Sequence, residues 1–353
     1  MLSRSKYIIP RLMAQLTRQL SRLNLFSVRE YQYLMSGEYL CDINFRVVSK
    51  IFEFEMQDIV DARTQFPRSH VFEPRYLVDI ERAIWDVKTG MGFSSSTKVG
   101  IKETSSWTLG NLQNTAVPIA TRVPNFDGEY ILLPSNGFYH WLIEDLPTFL
   151  PLLITQKEVL VWNYAPKYVF DFLRFMNIPF NPVERFVEVR SVSIVSKNED
   201  SGWASRQDVE VLRAFFKDYR RDQDKSKKVY ISRVTSTRTQ IWEQELQSLL
   251  VEDGWTVIEL QALDFEAQIN LISTASVLAG IHGAGLAHMV WMNSDSIVIE
   301  LGGQGYRPCY TSLAKACGLQ YERIQFSENN ECRSSQFTAI DLKLAISNLI
   351  DKD

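Results

Sequence analysis

Apolar and polar positions along the last third of the chain switch repeatedly between two periods. Short β-branched or apolar runs over 229–232, 256–260, 276–281, 296–301 and 320–326 predict strands. The stretches between them, 241–250, 265–273, 286–292 and 311–317, carry apolar residues at helical spacing. Strands separated by helices of this length predict a parallel, doubly wound α/β sheet. A last amphipathic helix is predicted over 336–351, either closing this domain or crossing back to the first one.

Upstream the pattern is less regular. Residues 39–124 read as short β-like runs, such as 43–48 and 51–55, broken by turn residues at Lys88-Thr89-Gly90 and Ser94-Ser95-Ser96. A strand over 130–133 then leads through Pro134-Ser135-Asn136-Gly137 into a helical segment that runs to Pro147. A strand (158–162), a helix (167–176), a β-rich run (185–195) and a helix (206–219) follow. The expected organisation is a basic helix over 1–26, an N-terminal domain over 27–220, a charged linker at 221–228 and a second domain over 229–330.

Composition adjusts this picture in three places. With 353 residues, 45% of them hydrophobic, the chain can bury two domain cores. A net charge of -4 speaks against non-specific nucleic-acid binding. Cys41, Cys309, Cys317 and Cys332 show neither zinc spacing nor a C-x-x-C pair and read as reduced and structural. No stretch approaches the roughly 18 apolar residues of a membrane span, so a cytoplasmic location is expected. Residues 1–26 carry Arg4, Lys6, Arg11, Arg18 and Arg22 among leucines and isoleucines. Such a helix fits a peripheral membrane contact or a helix packed on its own domain.

Candidate chemistry gathers at three places. The buried run 276–281 breaks at His282-Gly283-Ala284-Gly285-Leu286, a strand-to-helix turn of the kind that binds phosphate at the carboxyl edge of an α/β sheet. The glycine spacing is neither that of a dinucleotide fingerprint nor that of a P-loop, and a plain βα turn is the alternative. Arg233 and Arg238, after the strand at 229–232, sit at the same edge and suit phosphate oxygens, or else pair with Glu243 or Glu245. Glu300 ends the strand at 296–301, either to bind a ribose or sugar hydroxyl or to lie in solvent. His140 and Glu144 are four apart on one helical face, with Asp145 adjacent. That spacing serves a general base and its partner, two ligands of a metal, or a core histidine beside a surface carboxylate.

Three ordered motifs carry a resemblance: Asn136 to Pro147 (NGFYHWLIEDLP), VYISR ending at Arg233 with Arg238 beyond, and GIHGAGL from Gly280 with Ile299-Glu300-Leu301 after it. Together, over about 86–326, they resemble glycosyltransferase family 61, which includes plant xylosyltransferases, protein O-linked N-acetylglucosaminyltransferases and bacterial capsular-polysaccharide proteins. The resemblance implies a GT-B-like architecture of two Rossmann-like domains facing a cleft. It implies an inverting transfer from a nucleotide sugar, expected to be UDP-linked, to a glycan, glycolipid or protein hydroxyl, as in surface polysaccharide synthesis, with no essential metal. The expected base is Glu144 supported by His140, with His140 the runner-up and Asp145 also a catalytic candidate. Asn136, Arg233, Arg238, His282, Gly283, Ala284, Gly285, Leu286 and Glu300 are the expected donor-binding residues. The rivals are a non-catalytic nucleotide or glycan binder and a metal-dependent hydrolase using His140 and Glu144. The chain departs from the family at Trp242-Glu243-Gln244-Glu245, where asparagine followed by acidic residues is usual.

Overall fold

The computed structural model describes residues 44–60, 67–72, 74–95, 104, 123–197, 201–221, 226–234, 240–303, 307–326 and 338–351. The predicted basic helix at 1–26, Arg238, Cys41 and Cys332 lie outside the described residues. Two compact units divide the chain, one drawn from 1–54, 73–136 and 148–201, the other from 55–72, 137–147 and 202–353.

The first unit is built on a seven-stranded mixed sheet. Its strands are β1 (Asn44–Phe52), β4 (Arg75–Asp86), β5 (Met91–Ser94), β6 (Asn125–Leu132), β7 (Glu158–Trp162), β8 (Phe180–Val183) and β9 (Phe186–Val195). β9, β6, β7 and β8 run parallel, with helix α2 (Lys167–Phe175) between β7 and β8 in sequence. β1 and β5 flank β4 antiparallel, and β4 joins β9 antiparallel. The Rossmann-like expectation therefore holds for only part of this unit. A four-residue turn with Gly90 at φ 74° joins β4 to β5, and parallel pairing would need a crossover of roughly a dozen residues.

The second unit carries the predicted parallel sheet, in the order β11-β10-β12-β13-β14. These strands are β10 (Lys227–Ile231), β11 (Thr256–Ile258), β12 (Ala275–Ile281), β13 (Ile297–Gly302) and β14 (Gln320–Gln325). β12 and β13 are buried at nearly every successive position, hence on both faces, which is why they read as nearly continuous apolar runs. Val277, Ala279, Ile281, Ile299 and Leu301 share a core with Leu246 and Leu250 of α4 (Glu243–Glu252) and with Leu342 and Ile346 of α7 (Ala339–Ile350). The C-terminal helix thus packs on the second unit's own sheet and does not cross back. Its apolar stripe matches that sheet face, and Lys343 pairs with Asp253 at 2.9 Å.

Other pieces of this unit come from further away in sequence. α3 (Arg206–Phe215), α5 (Phe265–Ser273) and α6 (Cys309–Cys317) are further α-helices of this unit. A hairpin of β2 (Glu55–Val60) and β3 (Pro67–Phe72) docks on α6, where the Gln57 amide donates to the Ser312 carbonyl at 3.2 Å and the Ser312 hydroxyl donates back to Gln57 at 2.6 Å. The charged stretch 221–228, expected to be a linker between domains, lies inside this unit. Its described ends are tied down: Arg221 N–H donates to Ser273 Oγ at 2.9 Å, and Lys227 and Lys228 already pair with β12. The predicted helix at 286–292 is a 3₁₀ helix, Ala284–Trp291. Every side chain from Leu286 to Trp291 is buried, so packing rather than amphipathic periodicity sets its winding.

Candidate active site

The strand order of the second sheet reverses between β10 and β12, the position at which open α/β sheets bind their ligands. Arg233 lies just beyond β10 and His282 follows β12 directly. The Arg233 guanidinium donates from Nη1 to the His282 carbonyl, and its backbone N–H donates to Glu243 Oε1 at 2.6 Å. Glu243 therefore holds the Arg233 backbone, while the guanidinium crosses the switch point. Gly283 makes that crossing possible. Its φ of 171° is ordinary extended backbone, yet a Cβ there would sit 2.5 Å from Arg233 Nη1 and 2.8 Å from Cζ.

Of the other turn residues, Ala284 is exposed and Gly285 lies against Ile231. Leu286 does not face a ligand: its side chain is in the core and its N–H donates to the Gly283 carbonyl at 3.0 Å. An apolar side chain behind a glycine turn gains more from burial than from exposure at the edge.

His282 leads to a buried charge network. Its Nδ1 is 2.8 Å from Glu300 Oε1, and its side chain is 26% exposed against 0% for Glu300. Glu300 also accepts from the Tyr321 hydroxyl on Oε2 and from Arg323 Nε on Oε1 at 3.4 Å. A strand-end carboxylate in solvent is thereby ruled out. Direct contact between Glu300 and a sugar is also displaced, because both carboxylate oxygens are engaged inside the protein.

The second dyad sits on α1, made of Phe138–His140, a π turn Trp141–Asp145 and Leu146–Phe149. The wide turn is closed by Leu146 N–H donating to the Trp141 carbonyl, a local irregularity that recurs at functional sites. His140 Nδ1 is 2.8 Å from Glu144 Oε1, and the same oxygen accepts the Gly202 N–H at 2.7 Å. His140 is the more exposed partner, 29% against 10% for Glu144. Asp145, at 1% exposure, presents no surface to a substrate.

A ladder of rings links the two dyads. His140 meets Tyr139 edge to face at 5.5 Å, Tyr139 meets Tyr310 at 5.5 Å, and Tyr310 meets His282 at 5.2 Å. The Tyr139 hydroxyl anchors the ladder by donating to the Cys309 carbonyl at 3.1 Å. Asn136 belongs to the first unit, where its carbonyl accepts from the Tyr168 hydroxyl. Tyr139, Gly202, Tyr310, Tyr321 and Arg323 were not singled out by the sequence. Only the last two left a signal there: Arg323 pairs with Glu300 and Tyr321 with Val298 in register, so alternation along β14 puts both on the Glu300 face.

Among the described residues no group of three or more His, Cys, Asp or Glu is arranged to hold a metal ion, so the His140–Glu144 pair has no third ligand there. Burial pushes the Cys309 and Cys317 thiols up to about 12, which removes them as thiolate nucleophiles. No helix among the described residues is long and apolar enough to cross a membrane.

His288 belongs to the support of the site. It is buried, stacked 5.0 Å from Phe138, and its Nδ1 has no hydrogen-bond partner among the described residues. Burial pushes its imidazole down to about 3, from an ordinary 6.5. The unfolded chain therefore binds the extra proton first. The stability contributed by the neutral ring is complete above pH 6.5 and is lost as pH falls towards 3, by up to roughly 5 kcal/mol. We expect urea midpoints to fall between pH 6.5 and 4 more steeply in the wild type than in His288→Phe; equal slopes would reject this assignment.

The family model described as Glycosyltransferase 61 matches residues 138–299, a narrower span than the three motifs suggested; it contains His140, Glu144, Arg233 and His282 and ends one residue before Glu300. Residues of the chain are 31% identical, over 106 residues, to the Drosophila melanogaster EGF domain-specific O-linked N-acetylglucosamine transferase, covering 29% of this chain and 20% of that protein. The proteins of the same name from Xenopus laevis and Gallus gallus are 33% identical over 61 residues and 32% over 59, each covering 17% of this chain and 12% and 11% of the relative. The chain thus spans at most about a fifth of the length of these curated relatives.

Proposed function

Residues 138–299 match glycosyltransferase family 61, and from that premise we propose that this chain is an inverting glycosyltransferase moving a sugar from a nucleotide-sugar donor to a hydroxyl. The observation that carries the reading is the pairing, within one compact unit, of the Arg233 guanidinium at the switch point with a His–Glu dyad joined to it by rings in edge-to-face contact. The diphosphate lies against the 282–285 turn, with Arg233 neutralising the charge that develops on the leaving group. Fixed donors aimed at developing charge are usually the largest catalytic contribution.

The acceptor oxygen attacks the anomeric carbon as the bond from that carbon to the diphosphate breaks, and the acceptor proton passes to the His140–Glu144 dyad. Geometry favours the order opposite to the sequence expectation. Glu144 is the more buried partner and commits one oxygen to both His140 and Gly202, so it orients the ring, and the more exposed His140 receives the proton. A GT-B-like architecture and independence from metal are parts of the same proposal. UDP-N-acetylglucosamine is the first donor to test, because the matched relatives are named N-acetylglucosamine transferases. A glycan or protein hydroxyl is the acceptor class.

The test is a thermal-shift screen against nucleoside diphosphates and nucleotide sugars, with and without EDTA, followed by transfer assays with the donor that shifts. A ligand at about a hundred times its Kd adds roughly 2.7 kcal/mol, a shift of a few degrees. Stabilisation by one nucleotide family that survives EDTA, with sugar released to an acceptor, supports the transferase. Donor binding without turnover favours the non-catalytic binder. No shift by any nucleotide, with a drop in stability on chelation alone, favours the metal-dependent hydrolase.

A further inference from the structure

Glu300 is a carboxylate held at 0% exposure, and burying an ion is costly unless its surroundings are arranged around it. Three groups are so arranged. The Tyr321 hydroxyl donates to one oxygen, Arg323 Nε lies 3.4 Å from the other, and His282 Nδ1 lies 2.8 Å from that same oxygen. Arg323 is itself fixed, its Nη2 donating to the Gly303 carbonyl at 2.6 Å. It reaches this position across Gly302, where a Cβ would stand 2.5 Å from Nη2. Of the two nitrogenous partners, Arg323 is buried at 5% exposure and His282 has a quarter of its side chain exposed, so the ring carries the cluster outward.

We infer that Tyr321 and Arg323 are positioning residues which, through Glu300, fix the Nδ1 proton of His282 and turn Nε2 to the leaving diphosphate of the donor, to which Nε2 donates once it has taken up a second proton from solvent. This rests on the transferase reading for its ligand, but not for its geometry. A carboxylate that already accepts from Tyr321 and Arg323 offers only lone pairs to the ring, so Nδ1 is the protonated nitrogen. The imidazole is then locked from three sides: Glu300 at Nδ1, Arg233 on its own backbone carbonyl, and the edge of Tyr310 at 5.2 Å. Nε2 has no partner among the described residues. A diphosphate oxygen arriving there beside the Arg233 guanidinium accepts from Nε2–H of the imidazolium, whose charge Glu300 balances from behind. The charge that meets the anion is the proton taken up at Nε2, and the buried Glu300 balances it from behind.

The experiment uses the whole chain with ¹⁵N-labelled histidine; the sequence has four histidines, which keeps assignment by substitution tractable. Long-range ¹⁵N–¹H spectra identify the protonated nitrogen of His282, and calorimetry measures Kd for UDP and for inorganic pyrophosphate. The wild type is expected to hold a proton on Nδ1 in the free protein and on both nitrogens with either ligand bound. Tyr321→Phe keeps the ring but loses the donor; it is expected to blur the single Nδ1–H pattern into a mixture of tautomers and weaken both ligands about tenfold. Glu300→Gln is expected to move the proton to Nε2, because the amide that accepts from Tyr321 must turn its NH₂ towards the ring. A wild-type His282 protonated only on Nε2 overturns the inference. So does a Tyr321→Phe protein that melts earlier but keeps the wild-type spectrum and affinities, which marks a merely structural role. If neither UDP nor pyrophosphate binds the wild type, the diphosphate assignment falls with the transferase reading, while the spectra of the free proteins still decide the network.

Discussion

His140→Ala lowers kcat for sugar transfer by roughly 10²–10⁴-fold, the usual contribution of a positioned general base, while the donor KM stays within a few-fold of wild type. Glu144→Gln gives a smaller loss. The amide oxygen keeps the place that His140 Nδ1 and Gly202 N–H now share at 2.8 and 2.7 Å, but as an uncharged acceptor it holds the ring more weakly. It therefore disturbs the ring's orientation without removing the ring. The two substitutions together cost little more than His140→Ala alone, because residues that act as one unit are not additive. Steady-state kinetics with UDP-sugar binding measured in parallel distinguishes base from binding residue. If His140→Ala and Glu144→Ala both leave turnover within a few-fold of wild type, the dyad is not the base and the proposed mechanism fails at its centre.

Gly283→Ala is the second large effect, and it separates function from stability. Backbone strain is absent, since φ is 171° and any residue accepts it. The new methyl would meet the Arg233 guanidinium, 2.5 Å from Nη1, and that guanidinium is the far end of a flexible side chain. The arginine swings away at small cost to folding, and its bond to the His282 carbonyl is lost. Loss of one fixed donor at a site of developing charge costs roughly 3 kcal/mol, about 10²-fold in kcat/KM. Arg233→Ala should match it, and the double substitution should be no worse than either single one. Additive losses in that cycle would show that glycine and arginine serve separate purposes; an unchanged kcat/KM in Gly283→Ala would remove Arg233 from the leaving-group site.

Both predictions concern residues visible in the sequence, and the way each was visible differs. His140 and Glu144 announce themselves because four residues along a helix are neighbours in space, and even the π turn leaves them in contact. The 282–285 turn is recognisable because a strand buried on both faces must be continuously apolar, so its end is marked where the apolar run stops. Gly283 was legible as a residue that permits close approach, but the group that approaches is Arg233, 50 positions earlier, rather than a ligand alone. Arg233 could equally have paired with Glu243 through its side chain; the fold gives Glu243 to its backbone N–H instead.

The limits lie where contacts join distant stretches. The N-terminal region read as irregular hairpins because the long central strand Arg75–Asp86 has antiparallel partners far away on β1 and β9, and its burial pattern has no clean alternation. The segment 221–228 read as a linker on charge alone, although Lys227 and Lys228 form the start of a central strand. Tyr310 carries no local motif at all; it matters only because α6 sets it between Tyr139 and His282.

By itself the sequence determined the parallel α/β alternation beyond residue 227, the apolar faces that bury it, the histidine–glutamate spacing and the glycine turn, all of which are properties of neighbours along the chain. Tertiary structure alone decided which partner of each dyad faces outward, that Glu300 is sealed behind His282 by Tyr321 and Arg323, and that the last helix closes its own sheet. Such choices depend on strand register and on which groups share a buried volume, where an unpaired charge is costly and a satisfied one is held in a single geometry.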